Sequence, residues 1–540
     1  MRRIDRAAAL LAGLHVAAGL LLSPAWIRPD SVGVYAWLRS ALLDGDFLFF
    51  DEWAGFGLIR GGITTFKEIT ATGALGNHWG IGTTILTSPF YLLARPFGSA
   101  SDGGFFGIHT AVLCWTSVVF AAAASLLFLR VARDEGLRDR PAVLAAIFVW
   151  LGTPLFWYEI VFPLGSHLAG TLGVALVVWA ITRPAGKPED DFWIGLAFGI
   201  AVAARVQHVV LAPALALHLW RTRRRPSAAM AVGALIPLAV QAVAWTAVYG
   251  QPFGPLIAGS SPHGATWTPF ARVYVVEALF SSYHGLVSWA PVTALAVVGM
   301  LVEVRRRPLA ATLLLAFLCE LVANGLFDRY FWGGMSFGPR RFVDLAVPMM
   351  IGLAWFLSRT GAAGLAAATL ATGWSSLLLV AAAQGTLDLR RDVTFADLFR
   401  AIGAIDPALA AARFGGMAGL GQMPFQMIGG LAIAAALVAS GIAILRSRRR
   451  SAAALALLCF AWLFASLGAI RTTRARAAGE AARHAIRIDA SRIAGPLLDA
   501  RGLLADEESY LRRRGRSREA DETAALRRAI DERLHAAGVP

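Results

Sequence analysis

Apolar runs of about 20 residues, the length of helix that spans a hydrocarbon core about 30 Å thick, recur along almost the whole chain. Polar or arginine-bearing segments separate them. The pattern predicts about thirteen transmembrane helices, at 7–28, 105–131, 141–162, 167–183, 191–204, 206–220, 227–249, 286–302, 309–327, 342–358, 362–384, 427–445 and 451–470. The fifth and sixth runs form one stretch that crosses twice only as two short helices, with Arg205, Gln207 and His208 at the bend. The run Gly80–Phe97 is also apolar, but Pro89, Pro96, the Gly80-Ile81-Gly82 start and the aromatics Trp79, Phe90 and Tyr91 suit an interfacial helix better. Counting it as a span would invert every later loop.

Arginines orient the spans. With the N-terminus cytoplasmic, Arg130–Arg140, Arg221–Arg225, Arg305–Arg307, Arg359 and Arg446–Arg450 all fall on the inner side, as the positive-inside rule requires. Ser23-Pro24-Ala25 offers a signal-peptide cleavage site, yet the later spans need the first helix for parity, so it reads as retained. The outer side then receives 29–104, 163–166, 250–285, 328–341, 385–426 and everything from 471. Residues 1–470 read as a transmembrane domain, with interfacial helices in the first outer loop at 29–104. Residues 471–540 read as an arginine-rich tail of two or three amphipathic helices, through Leu503-Leu504, Tyr510-Leu511, Leu526 and Ile530. In that tail, Arg512–Arg518 is either a lipid-phosphate contact or a solvated helical face.

Composition agrees: of 540 residues, 57% are hydrophobic and 16% charged, which excludes disorder and argues against a soluble enzyme. The net charge of +15 would elsewhere point to nucleic acid. Here it is carried almost wholly by arginine, with Lys67 and Lys187 the lysines; much of it lies in inner loops that orient helices and some in the outer tail, so no nucleic-acid partner is expected. Cys114, Cys319 and Cys459 each lie inside an apolar run and read as packing residues rather than metal ligands. Nothing matches GxSxG, HExxH or a P-loop, which speaks against hydrolase and NTPase chemistry.

Chemistry concentrates in the outer loops. Directly after the first span come Asp30, Asp44, Asp46, Asp51 and Glu52, where an ionisable group is costly unless used or paired. Positions 34–43 are helical in pattern and end at Asp44-Gly45-Asp46, which leaves Asp30 on the N-terminal side where the helix dipole favours a carboxylate. The plain alternative is an N-cap at Asp30 and turn residues at Asp44 and Asp46. Arg205, at membrane depth, requires a counter-charge or a water-filled cavity. Arg340 and Arg341 follow a Gly-rich turn suited to phosphate, although snorkelling or pairing with Asp328 would also account for them. His167, His208, His263 and His284 share the outer side as packing residues or ligands. Glu320, inside the ninth span, has Asn324 one helical turn away as a partner.

Several strings together resemble the GT-C superfamily of polyprenyl-phosphate-sugar-dependent membrane glycosyltransferases, whose relatives include protein O-mannosyltransferases and the aminoarabinose transferase acting on lipid A. They are Asp30 beyond the first span, Tyr35 and Arg39 on the following helix, the Gly45-Asp46 turn, Asn77-His78-Trp79-Gly80-Ile81-Gly82 and Ser88-Pro89-Phe90. Further strings are Glu159, Ser166-His167, Leu279–Leu286 with Trp289, and Trp332–Phe342; the resemblance covers about residues 7–360. It implies an all-α polytopic GT-C-like bundle at the outer face of a prokaryotic plasma membrane. It also implies inverting transfer of a sugar from a polyprenyl phosphate to a lipid, glycan or protein hydroxyl, with Asp30 as general base. Tyr35, Arg39, Asp46, Glu52, His78, His167 and His284 would position donor and acceptor, and Arg205, Arg340 and Arg341 would bind phosphate. A divalent cation, Mg²⁺ or Mn²⁺, would draw on Asp46, Asp51, Glu52 and His78. Many members have an acidic pair after the first span, whereas Asp30 is followed by Ser31, which weakens the case for a metal. Two competing readings are a transporter or lipid flippase, which would show mid-bilayer charges on several helices and repeat symmetry, and a GT-C-like scaffold without activity.

Overall fold

The computed structural model describes residues 5–22, 27–58, 68–98, 103–105, 107–183, 188–222, 224–256, 273–326, 333, 336–389, 392–410, 448–487 and 517–536, with 501, 504, 505, 508 and 512. The expected run 427–445, and Ser23-Pro24-Ala25, Lys67, Lys187, His263, Asp328, Trp332, Leu503, Tyr510-Leu511 and Arg513–Arg516, lie outside the described residues.

The described residues form an all-helical bundle, and the one β-type pairing among them is an isolated bridge between Ile69 and Leu75. The helices are α1 (Arg6–Leu22), α2 (Pro29–Arg39), α3 (Phe50–Gly55), α4 (Ile81–Ala94), α5 (Ile108–Asp134), α6 (Asp139–Gly152), α7 (Ser166–Ile181), α8 (Pro188–Ala204) and α9 (Ala212–Arg221). They continue with α10 (Ala228–Tyr249), α11 (Val275–Phe280), α12 (Leu286–Trp289), α13 (Val292–Glu303), α14 (Pro308–Leu326), α15 (Ala346–Gln384), α16 (Phe395–Gly403), α17 (Arg448–Arg487) and α18 (Ser517–Ala536). Every predicted run within the described residues contains helix. Among the described residues, four segments are long and apolar enough to cross a membrane: Ile108–Asp134, Ala228–Tyr249, Pro308–Leu326 and Arg340–Gln384; Arg6–Leu22, Ser166–Ile181, Val292–Glu303 and Ala454–Ile470 are shorter. α15 contains two of the predicted runs, separated at Gly361, whose φ of 58° breaks the helix just beyond Arg359.

Small residues set the helix spacing. A Cβ at Gly195 or Gly199 of α8 would collide with Met230 O or Ala234 O of α10, and one at Gly233 with Phe192 O, so backbones meet as at a GxxxG crossing. Gly299 and Gly352 do the same for α13 and α15.

The expectation for Gly80–Phe97 is modified. α4 packs against α2, α5, α8 and α10, and Ile81 to Ile85 are buried. Its hydroxyls find partners within the bundle: Thr84 Oγ1 donates to Val34 O (2.9 Å), and Ser88 Oγ accepts from Trp462 Nε1 (2.9 Å). Only its C-terminal end exposes large apolar side chains, at Leu92 and Leu93.

Polar clusters staple the helices at depth. His15 Nδ1 lies 2.9 and 3.0 Å from the Glu159 oxygens and its Nε2 3.0 Å from Ser125 Oγ, while Trp150 Nε1 donates to Glu159 (2.6 Å). Three helices, α1, α5 and α6, are thereby joined to the turn Trp157–Val161. At the far end of the bundle, Arg133 pairs with Asp5 and Asp139, Arg307 with Glu135 and Glu303, and Arg359 with Glu303. Among the predicted inner-loop arginines, Arg133, Arg307 and Arg359 are thus paired with carboxylates.

Candidate active site

Helix α8 stops one residue before Arg205, which is extended (φ −149°, ψ 110°) and is followed by a tight 3₁₀ segment, Val206–Leu211. Gly80 and Gly82, at the start of α4, lie so close that a Cβ on either would strike the backbone of Ala203 or Ala204. This approach carries His78 and Trp79 to the helix break.

Arg205 is held on several sides. Its Nε is 2.7 Å from Asp344 Oδ2. Nη1 donates to Ser166 Oγ (3.1 Å) and to His167 Nδ1 (2.9 Å), and Nη2 donates to Gln207 Oε1 (2.7 Å). Because arginine only donates, that His167 nitrogen is the acceptor. Asp344 is 1% exposed and also meets His208 Nε2 at 2.9 Å, while His208 Nδ1 faces Ala201 O at 2.8 Å. A buried carboxylate persists only with such partners.

Arg340 and Arg341 enter from the 3₁₀ segment Arg340–Leu345. Gly333 and Gly338 before it have φ of 79° and 60°, the left-handed region that glycine tolerates best. The turn folds back so that Arg340 N donates to Gly338 O (2.8 Å). Arg340 Nη1 then donates to Asp30 Oδ2 at 3.1 Å, and Arg341 Nη1 to Asn324 Oδ1 at 2.8 Å. The suggested partner of Glu320 is corrected here: Asn324 serves Arg341, and Glu320 accepts from Gln207 Nε2 (2.9 Å). Gln207 comes from the neighbouring helix break and reaches Glu320 more directly than a residue on the same helix.

These residues surround a cavity of about 260 Å³. Its wall includes Asp30, Arg205, Arg340, Arg341, His78 and His167 from the predicted set, with Trp79, Ser166, Gln207 and Trp245 beside them. Three guanidinium groups border this one small space, and a guanidinium can match phosphate oxygens bidentately.

The remaining predicted positioning residues do not line this cavity. Tyr35 is buried and donates to Gly104 O at 2.6 Å. Arg39 Nη1 lies between Asp44 (2.7 Å) and Glu52 (2.8 Å), and its Nε donates to Gly103 O (2.8 Å). Asp46 accepts from Ser40 Oγ, Leu48 N and Arg476 Nη1. His284, with a φ of 64°, packs its ring on Tyr283 and Trp289. These contacts build the loop. Burial pushes the Glu52 carboxyl well above the ordinary carboxylate range, with Arg39 pulling the other way. Burial likewise raises Asp44 and Asp46.

The proposed metal set does not fit a metal site. Of Asp46, Asp51, Glu52 and His78, only His78 lines the cavity, while Asp46 and Glu52 are engaged by arginines. Among the described residues, no three His, Cys, Asp or Glu side chains are grouped to hold an ion.

Sequence reasoning missed Asp344, which was hidden in the predicted run 342–358. An ionisable residue inside an apolar run was its available signal, the same one that singled out Arg205 and Glu320. Trp245 gave no signal beyond its aromatic character.

No protein-family model matches the chain, and no curated protein matches it in sequence. Among solved structures, the fold is similar to ArnT from Cupriavidus metallidurans, crystallised bound to undecaprenyl phosphate and in the apo state. The TM-scores are 0.44 and 0.40 at 13% and 14% identity, and each overlap covers 89% of this chain and 80% of that one. The fold is also similar to the oligosaccharyltransferase from Archaeoglobus fulgidus tethered with an acceptor peptide, with a TM-score of 0.41 and 13% identity over 76% of this chain and 55% of that one. At that overlap the likeness assigns no role to any residue here.

Proposed function

We propose that this chain is a membrane glycosyltransferase that moves a sugar from a polyprenyl phosphate to a hydroxyl acceptor at the outer face of the membrane, with inversion. One observation carries the reading. Arg205, Arg340 and Arg341, the arginines expected to bind phosphate, meet Asp30 around one cavity although they come from distant parts of the chain. The transporter reading expects charges spread over several helices at mid-bilayer, whereas Arg205 and Glu320 belong to a single network through Gln207.

In the reaction, the acceptor oxygen attacks the anomeric carbon and its proton passes to Asp30. The bond from that carbon to the phosphate oxygen breaks, and the electron pair leaves with the prenyl phosphate. Arg205, Arg340 and Arg341 stabilise the charge that develops on the leaving group. Asp30 suits the base, because its side chain is 41% exposed and lies on the cavity wall. It is paired with Arg340, so a phosphate that engages Arg340 frees the carboxylate to accept a proton.

The test is turnover of polyprenyl-phosphate sugars by purified protein, read as release of the prenyl phosphate. Asp30→Asn should lower kcat by about 10²- to 10⁴-fold. Full activity in that variant removes Asp30 as base, and failure of the wild-type protein to bind any prenyl phosphate removes the whole reading.

A further inference from the structure

We propose that Asp344 is a positioning residue for anion binding, a buried carboxylate that seats Arg205 so that the guanidinium presents its remaining edge to the cavity. The inference rests on reading the cavity as a site for a phosphate ester. Asp344 is not part of the cavity wall, whereas Arg205 is. A guanidinium has five N–H donors. Nε stands in ion contact with Asp344 Oδ2 at 2.7 Å, the two hydrogens on Nη1 go to Ser166 and His167, and one on Nη2 goes to Gln207. One Nη2 hydrogen is left for a ligand. Arginine carries high side-chain entropy when unrestrained, so an anchor at Nε converts a mobile cation into a fixed one. The seat is tight: His208 Nε2 takes the same carboxylate oxygen, and a Cβ at Gly170 would stand 2.8 Å from His208 Cε1, 2.9 Å from Arg205 Cδ and 3.0 Å from Asp344 Cγ.

The two aspartates near the cavity therefore act on anion binding with opposite signs. Asp30, on the wall, holds Arg340 at 3.1 Å and competes with a phosphate for it. Asp344, 1% exposed, cannot reach the ligand and acts only through Arg205. Charge alone would make either carboxylate repel a phosphate, so that neutralising it tightens binding. Seating predicts the reverse for Asp344, because an unanchored Arg205 no longer faces the cavity.

The experiment is equilibrium binding of a short-chain prenyl phosphate to the full chain in detergent, with the prenyl alcohol and inorganic phosphate alongside. Asp344→Asn should weaken the prenyl phosphate by about tenfold or more and leave the alcohol unchanged. Inorganic phosphate should compete with the ester in the wild type and lose most of that ability in the variant. Asp344→Asn combined with Arg205→Gln should bind no worse than Arg205→Gln alone, and Asp30→Asn should bind more tightly than wild type. Gln207→Leu removes one acceptor from Arg205 together with the donor to Glu320; it should weaken binding several-fold and decides the matter if Asp344→Asn fails to fold. Unchanged or tighter binding in Asp344→Asn, or in Gln207→Leu where only that variant folds, or additive losses in the double variant, would overturn the positioning role alone. A wild-type protein that binds neither phosphate overturns the phosphate reading together with it.

Discussion

At the scale of single residues, the site depends on how little room surrounds its charges. Gly170 has no side chain because three members of the charged seat occupy the space where one would begin. Gly170→Ala must displace Arg205, His208 or Asp344, and small misplacements of binding groups are costly, so turnover should fall about tenfold or more. A steady-state assay comparing the variant with wild type checks this. Glu52 permits a prediction of different sign. Its folded-state proton affinity is raised by burial, so the native state binds more protons than the unfolded chain. The associated stability is present below the ordinary carboxylate pKa and is lost as pH rises through the higher folded value. Thermal unfolding of wild type and Glu52→Gln at pH 5 and pH 8 should show the variant gaining relative to wild type as pH rises. A pH-independent difference would contradict the burial argument.

At the scale of elements, two kinds of contact hold the helices in register. The first is backbone against backbone. A Cβ at Gly82 would run into Ala203 and Ala204, so Gly82→Ala should force α4 away from the α8 break and cost about 1–3 kcal/mol. A lower Tm in detergent, with a parallel loss of prenyl-phosphate affinity, is the expected result. The second is the buried His15–Glu159 pair. His15→Leu leaves a buried carboxylate with a partner missing and should destabilise by about 1–3 kcal/mol, whereas His15→Leu with Glu159→Leu should recover part of that loss. Unfolding midpoints of the two variants test the order. Periodicity and run length located these helices, and the Arg205 bend was legible as a polar interruption. Partner choice was not. Asn324 lies one turn from Glu320, yet the partner of Glu320 is Gln207 from another helix, because across a bundle the nearest polar group need not be near in sequence.

At the scale of the whole molecule, the C-terminal region is joined to the first loop. Helix α17 runs without a break through residue 470. Thr473 Oγ1 accepts from Phe47 N at 2.9 Å, and Arg476 Nη1 donates to Asp46 Oδ2 at 3.1 Å. Asp46 is therefore a docking point for the tail, not a ligand of the cavity. A topology reporter fused after Arg487 should appear on the same side of the membrane as one inserted in the loop that carries Asp46. Opposite sides would break the contact and with it the arrangement of the tail.

The sequence alone determined the all-helical, membrane-spanning character, because a bilayer admits few backbone arrangements and apolar runs of spanning length are direct signals of one. It also marked Asp30, Arg205, Arg340, Arg341 and His167, because charged or polar groups beside apolar runs are expensive and therefore conspicuous, and it marked His78 through the resemblance alone. Only the tertiary structure decided which charges face the cavity and which face each other. The sequence does not show which carboxylates meet Arg39 and Arg205. The first is enclosed by Asp44 and Glu52 within its own loop, and the second is seated by a carboxylate far along the chain with one edge left open. That difference depends on which helices come together, and local pattern does not encode it.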